Sequence, residues 1–165
     1  MNEPWDIVVG VVALNGGELV GKTRLQKTLY LLDACGLGSG FSYEYHHFGP
    51  FSAALAEAAD DAQTLKRLVQ ETRQGSYEVP YTVFRTDVAA PEAVGTLSAV
   101  AVSDMLRMLR GYTAIDLEIA ATLHYLRENG YQGGEEQEVV VRKPLKATPE
   151  RIEKAKGLLT NLYLV

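Results

Sequence analysis

The sequence predicts a mainly α-helical fold of the α+β class, with a small antiparallel β hairpin or sheet. The 165-residue chain is 47% hydrophobic and 22% charged, a composition typical of a globular domain. Most of its apolar segments are helical in length and periodicity, whereas residues 41–51 and 76–86 read as short strands. Strands and helices do not alternate regularly, so a parallel sheet with crossover helices is not expected.

Two helices are predicted at the start of the chain. Residues 4–15 favour a helix because Pro4 suits a first helical turn and the segment is longer than a typical strand. A capping box beginning at Thr23 then starts a second helix over residues 23–35, with leucines repeating along one face.

A strand and a third helix follow. Aromatic side chains alternate in residues 41–51, which indicates a strand, and the Gly-Pro pair at 49–50 is expected to turn the chain. Ser52 is then placed to cap an alanine-rich helix over residues 52–62.

The rest of the chain is predicted to be helical apart from one paired-strand region. The predicted segments are a helical piece at 64–73, one or two short strands at 76–86 with Pro80 at a bend or edge, a helical stretch from Pro91 to 112, a helix that Thr113 caps and Gly130 ends, a polar loop at 133–138, a short extended segment at 139–147 and a last helix from Pro149. The order in residues 1–90 resembles a winged-helix layout, on which residues 91–165 pack further helices. We therefore expect one domain over residues 1–165.

The composition argues against several classes of function. The net charge is −5 and the pI is about 5.2, so a broad electrostatic attraction to nucleic acid or an anionic membrane is not favoured. The single cysteine, Cys35, permits no intramolecular disulfide. The first residues lack a signal-peptide layout, and the longest apolar run, residues 7–14, is too short to cross a bilayer. We expect a cytoplasmic protein without membrane contact.

Residues 16–23 match the phosphate-binding pattern G-x-x-x-x-G-K-[ST]. In such a loop, backbone amides point inward at a phosphate. Glu18 places a carboxylate inside the intended anion cradle, and no series of parallel strands follows. A small P-loop-type nucleotide-binding protein is therefore kept as the least favoured of three functions, behind the two that are derived below. Its binding residues would be Gly16, Gly21, Lys22 and Thr23.

Signals for catalysis or metal binding are weak. His46 and His47 are adjacent on a predicted strand, so their side chains point to opposite faces. His124 lies within a predicted helix and has no second histidine or cysteine one turn away. We expect no catalytic residue, no metal and no cofactor.

Two motifs resemble a prokaryotic protein family. The phrases LQKTLYLL (25–32) and YEYHHFGPFS (43–52) resemble the L-Q-K helix and the Gly-Pro turn of the YwgA-like proteins, and more remotely the Panacea (SocA-like) antitoxin domain. The resemblance implies a small α-rich fold, and its Panacea relatives imply binding and neutralising a partner toxin. Leu25 and Tyr30 are expected to be structural. The motif residues expected to contact a partner are Gln26, Lys27, Tyr45, Phe48, Gly49, Pro50 and Ser52.

The charge distribution favours a protein partner over DNA. In a winged helix the recognition helix would be residues 52–62, which carry three acids and no cation. Residues 28–65 hold five acids and no Lys or Arg, whereas the basic C-terminal segment, residues 142–156, has six cations and two acids. These regions are expected to pair within the fold, across a homodimer, or with a basic partner.

The function predicted from the sequence is therefore non-catalytic. We expect a protein–protein interaction module, antitoxin-like or accessory to a defence locus. The alternative is a winged-helix transcriptional regulator that binds DNA, through the cations of residues 22–27 or through the basic C-terminal segment.

Overall fold

The computed structural model describes residues 3–76 and 79–165, so residues 77–78 of the predicted strand segment lie outside the described residues. The described helices are α1 (Pro4–Leu14), α2 (Lys22–Ala34), α3 (Ala53–Thr64), α4 (Ala99–Leu109), α5 (Ala114–Leu126), α6 (Glu135–Arg142) and α7 (Pro149–Asn161). The strands are β1 (Glu18–Val20), β2 (Glu44–His46), β3 (Gly49–Phe51), β4 (Val69–Gln74), β5 (Pro80–Arg85), β6 (Ala93–Val94) and β7 (Leu97–Ser98). After α5 the chain leaves helical geometry at Asn129 and at Gly130, which has a φ of 99°. The predicted α+β class is confirmed.

Side-chain hydroxyl groups cap four of the helices. Each accepts a hydrogen bond from a backbone amide in the first helical turn, which satisfies a donor that the helix itself leaves unpaired. These caps are Ser52, Ser98, Thr113 and Thr148. At α5 the cap is reciprocal, because the Asp116 carboxylate accepts a hydrogen bond from the Thr113 amide.

The largest sheet has three antiparallel strands in the order β1-β5-β4. The central strand β5 places Phe84 opposite Leu19 of β1 and opposite Gln70 of β4. Leu19 and Phe84 are buried among the helices, so the sheet is anchored by this apolar face. Two further hairpins, β2–β3 and β6–β7, each consist of a single antiparallel pair.

Two hydrophobic cores share helix α2. Leu25 and Leu29 contribute to the first core, which also contains residues of α1, α3, α4 and the three-stranded sheet. Tyr30 and Leu31 contribute to the second core, which contains residues of α5, α6 and α7. Because every residue of α2 from position 25 to 32 is buried, this helix is enclosed on all sides.

Some sequence predictions in the first half are wrong. The turn of the β2–β3 hairpin lies at residues 47–48, and the Gly-Pro pair begins the returning strand. Helix α2 follows Gly21, which has a φ of 102° and no side-chain cap, so Thr23 does not begin the helix. The predicted helical piece at 64–73 contains most of β4, because pairing with β5 overrides the local helical preference of that segment.

Two predictions in the second half are also wrong. The stretch from Pro91 first forms the β6–β7 hairpin and becomes helical only at Ala99. Residues 135–142 form α6, although the sequence predicted a polar loop followed by an extended segment. Their valine run favours a strand locally, but Val139 packs into the second core as part of a helix. The helices predicted at 4–15, at 52–62, after Thr113 and from Pro149 are confirmed.

Candidate protein-interaction surface

The L-Q-K helix and the Gly-Pro hairpin meet through a paired hydrogen bond between Gln26 and Ser52. The Gln26 Nε2 donates to the Ser52 carbonyl oxygen at 3.0 Å, and the Gln26 Oε1 accepts from the Ser52 amide at 2.8 Å. Both residues are buried. A buried amide side chain must be hydrogen-bonded to be tolerated, and here its bonds fix the start of α3 against α2.

A buried lysine holds the returning strand of the same hairpin. Lys27 is only 1% exposed, and its Nζ donates to the Pro50 carbonyl oxygen at 2.7 Å. Burial lowers the pKa of Lys27 to about 8, and the nearby Glu118 carboxylate opposes that shift. The L-Q-K motif therefore supplies two consecutive polar side chains that bind the backbone of the Gly-Pro segment.

A second lysine binds the turn of the same hairpin. The Lys143 Nζ donates to the His47 carbonyl oxygen at 2.9 Å and to Glu118 at 2.7 Å. Lys146 also contacts the Glu118 carboxylate, at 3.0 Å. Glu118 and Lys143 are both buried, so one carboxylate of α5 faces the ammonium groups that secure the hairpin.

Only glycine fits at the start of β3. Gly49 has a φ of 90°, in the left-handed region that favours glycine. A Cβ atom at this position would collide with the Thr122 Oγ1 of α5. The hairpin therefore lies directly against α5, with no side chain between them at this point.

The predicted partner-binding residues differ widely in exposure. Tyr45 is half-buried and Phe48 is 52% exposed, so these two lie at the accessible end of the hairpin. Gln26 and Lys27, which were expected to contact a partner, are instead 5% and 1% exposed. The sequence does not predict this burial, because the backbone groups that bind the two polar side chains lie 23 to 26 residues away along the chain. The buried motif residues are Gln26, Lys27, Gly49, Pro50 and Ser52.

Cations of the C-terminal segment cover the exposed end of the hairpin. The Arg142 guanidinium lies 4.5 Å from the centroid of the Tyr45 ring, and the Lys146 Nζ lies 4.6 Å from that of Phe48. Leu145, between them in sequence, is 90% exposed. This hairpin tip is thus a small aromatic surface with cations at its edge.

The basic C-terminal segment is largely paired within the fold. Lys143 and Lys146 share Glu118, so one acid of α5 serves two cations. The other ion pairs of the segment are Arg142–Glu138, Lys154–Asp116, Lys156–Glu136 and Lys156–Glu153. These acids lie in α5, α6 and α7, so the segment does not neutralise the acidic region at 28–65.

Helix α3 therefore keeps an exposed acidic face, formed by Glu57, Asp60 and Asp61. None of the three makes an ion pair with any residue in the described ranges. Asp60 accepts a hydrogen bond from the Gln70 side-chain amide at 2.9 Å. The acidic face of α3 is thus a concentrated negative charge that remains open to solvent.

A groove of about 320 Å³ runs beside this face, between α2, α3 and the sheet. We call it the α3 groove. Its wall is mainly apolar, and Lys22, Asp60 and Gln70 stand among its polar residues. The apolar lining consists of Leu25, Phe51, Ala56, Ala59 and Phe84.

The segment that matches the phosphate-binding pattern runs from a turn through a short strand into the start of α2. Its middle residues form β1, which pairs with β5. The Gly17 amide donates to the Val12 carbonyl, and the Gly21 amide donates to the Thr82 carbonyl. Two amides that a phosphate cradle would point inward are thus engaged in the fold, and Lys22 borders the α3 groove.

Other groups with chemical potential are engaged in packing contacts. The Tyr30 hydroxyl and the His124 Nδ1 are 2.7 Å apart, and burial lowers the pKa of His124. Tyr43 donates to the Asp33 carboxylate at 2.7 Å, a contact that sequence reasoning missed because it joins two predicted elements. Burial raises the pKa of the Cys35 thiol, which makes it less reactive at neutral pH.

None of the helices in the described ranges combines the length and the apolar character needed to cross a bilayer. No protein-family model matches the chain. The chain is similar to the uncharacterized protein YwgA of Bacillus subtilis (strain 168), with 24% identity over 153 residues and 86% of each chain covered. This similarity supports the YwgA-like resemblance that the two motifs carry.

Proposed function

We propose that this protein is a non-catalytic interaction module, and that the acidic face of α3 binds a basic surface of a partner protein. The observation that carries the proposal is the charge distribution. Glu57, Asp60 and Asp61 are exposed and without ion pairs in the described residues, whereas five of the six cations of the C-terminal segment form ion pairs within the fold. Complementary charge steers association and selects partners.

The order of elements supports a winged-helix-like part as the framework of this surface. Helix, strand, helix, helix and two strands follow one another in α1, β1, α2, α3, β4 and β5, and the sheet order is β1-β5-β4. The β2–β3 hairpin is inserted between α2 and α3. In such a layout α3 takes the position of a recognition helix. Its carboxylates would repel phosphates, so a polypeptide suits this helix better than DNA does.

The finer role that we favour is antitoxin-like, or accessory to a defence locus. It rests on the resemblance of the L-Q-K and Gly-Pro motifs to the Panacea domain. A basic toxin or a basic nucleic-acid-binding protein would suit the acidic face of α3. Phe48 at the hairpin tip, which is 52% exposed, offers a second contact region beside Lys146, which lies over its ring.

The DNA-binding alternative has few available cations near α2. Lys27 is buried, and Arg24 donates to the carbonyl groups of Leu109, at the end of α4, and of Tyr112, in the link to α5. Nucleotide binding at residues 16–23 is less favoured still, because backbone amides there are already hydrogen-bonded. Mobility shifts with duplex DNA address the first alternative, and labelled ATP or GTP with the Lys22→Ala variant addresses the second.

Charge reversal tests the main proposal. The tagged protein is used to capture partners from its own cells at low and at moderate salt, with cross-linking to locate the contact. The test variant carries Glu57→Lys, Asp60→Lys and Asp61→Lys. The control variant carries three reversals at exposed acids on other elements, Asp87→Lys, Glu92→Lys and Glu150→Lys.

We expect a partner that cross-links to α3, is released by salt, is lost by the test variant and is kept by the control. Because both variants change the net charge equally, a difference between them reports the position of the charge. Retention of the partner by the α3 variant would contradict the proposal, as would cross-links confined to other surfaces.

A further inference from the structure

The α3 groove is an opening that the protein's own side chains leave unfilled. It has a volume of about 320 Å³, in the lower range of pockets that hold small ligands or anchoring side chains. Leu25, Ala59 and Phe84, which are buried members of the first core, form part of its wall. The small side chains of Ala56 and Ala59 create the space, since they sit where α3 passes the sheet.

The polar residues around this opening carry an excess of negative charge. Asp60 lines the groove itself, and Glu57 and Asp61 lie within one helical turn of it on the same helix. Lys22 is the cation among the lining residues. The groove itself is thus lined by one carboxylate and one ammonium group, and the exposed surface of α3 beside it adds the carboxylates of Glu57 and Asp61.

This combination specifies the chemistry of an occupant. An apolar side chain would gain by leaving water for the groove wall, and neighbouring cations would be attracted to the carboxylates. A hydrophobic anchor set in a pocket and surrounded by charged contacts is a recurrent arrangement at protein interfaces. An anionic or purely polar ligand would lack one of these two contributions.

We infer that the α3 groove receives a large apolar side chain from a basic segment of the partner protein, while Lys or Arg residues beside that anchor contact the acidic face of α3. This inference rests on the proposed function and specifies the partner sequence it requires. The recognised element is a short peptide in which Leu or Phe is flanked by cations.

Fluorescently labelled hexapeptides provide the test, with binding followed by anisotropy. The probes are Lys-Lys-Phe-Leu-Lys-Lys, its apolar-free analogue Lys-Lys-Ser-Ser-Lys-Lys, and the acidic analogue Glu-Glu-Phe-Leu-Glu-Glu. The protein variants are Ala56→Trp, which fills the groove, and Ala54→Trp, a matched control on the exposed side of the same helix. Thermal unfolding of each variant checks that the fold is kept.

Burial of an apolar anchor predicts that the first peptide binds about tenfold or more tightly than its apolar-free analogue. Ala56→Trp should remove this advantage, and Ala54→Trp should leave it unchanged. Nuclear magnetic resonance of the unmodified protein should show peptide-induced shifts at the amides of Ala59, Gln70 and Phe84. Because this last measurement uses the unmodified protein, it tests the groove even if Ala56→Trp disturbs the fold.

The outcomes distinguish failure of the groove inference from failure of the proposed function. Equal binding of both basic peptides, or equal effects of the two tryptophan variants, would overturn the groove inference while leaving the acidic face as a binding surface. Equal binding of the basic and acidic peptides, or no measurable binding of either basic peptide, would overturn the proposed function as well.

Discussion

Raising the pH should stabilise this protein through one side chain, the buried ammonium group of Lys27. Its pKa in the folded protein is lowered from 10.5 to about 8, mainly by burial. Glu118 opposes the shift, and the neighbouring cations Lys143 and Lys146 add to it. The folded protein therefore binds the proton of Lys27 more weakly than the unfolded chain does.

The sign and size of the effect follow from proton linkage. Stability rises with pH wherever the unfolded state holds more protons, which for Lys27 is the range between its two pKa values, about 8 and 10.5. Between about pH 7 and about pH 9.5, the Lys27 contribution to the free energy of unfolding should increase by roughly 2 kcal/mol, at about 1.4 kcal/mol per pKa unit.

Urea unfolding of the normal protein and of Lys27→Met at the two pH values isolates this contribution. Methionine keeps an unbranched chain of similar length but carries no proton, and Glu118 retains Lys143 and Lys146 as partners. The other titrating groups are common to both proteins, so every contribution that does not depend on the charge of Lys27 cancels in the difference. If the two unfolding free energies changed in parallel with pH, the buried, weakly basic state of Lys27 would be refuted.

Two further predictions concern the same contact region. Gly49→Ala should lower the free energy of unfolding by about 2–3 kcal/mol, because it adds both a strained φ and a collision with Thr122. The control Gly16→Ala has a φ of 80° and open space around its Cβ, so it should lose only about 1 kcal/mol, and equal losses in urea unfolding would argue against the collision. Glu118→Gln should lose about 3 kcal/mol because Lys143 stays buried without its carboxylate. A loss no larger than that of Glu138→Gln, measured by thermal and urea unfolding, would show that Lys143 finds another partner.

The sequence predicted those parts of the fold that short-range chemistry determines. Thr113 and Thr148 predict the starts of α5 and α7 because their side chains can form local capping hydrogen bonds, and the structure confirms these bonds. Ser52 does the same for α3. These signals involve residues three positions apart, so no knowledge of the tertiary structure is needed to recognise them.

The parts that were missed depend on contacts between distant residues. β4 pairs with β5, and Val139 of α6 enters the second core, so tertiary contacts decide both segments. The buried positions of Gln26 and Lys27 follow from hydrogen bonds to backbone groups more than twenty residues away. Exposure of polar residues is the better assumption in general, and it fails here because a hairpin lies across them.

The enclosure of α2 between two cores has a consequence for how the molecule comes apart. Loss of α5 and α7 would strip one flank of α2 and leave Tyr30 and Leu31 in water, while loss of α1 and α3 would strip the other. Neither hydrophobic core is complete without the buried side chains that α2 contributes to it. The backbone amides in the middle of α2 should therefore exchange their hydrogens only during global unfolding. A chain cleaved between the elements of the first core and those of the second should be prone to aggregation.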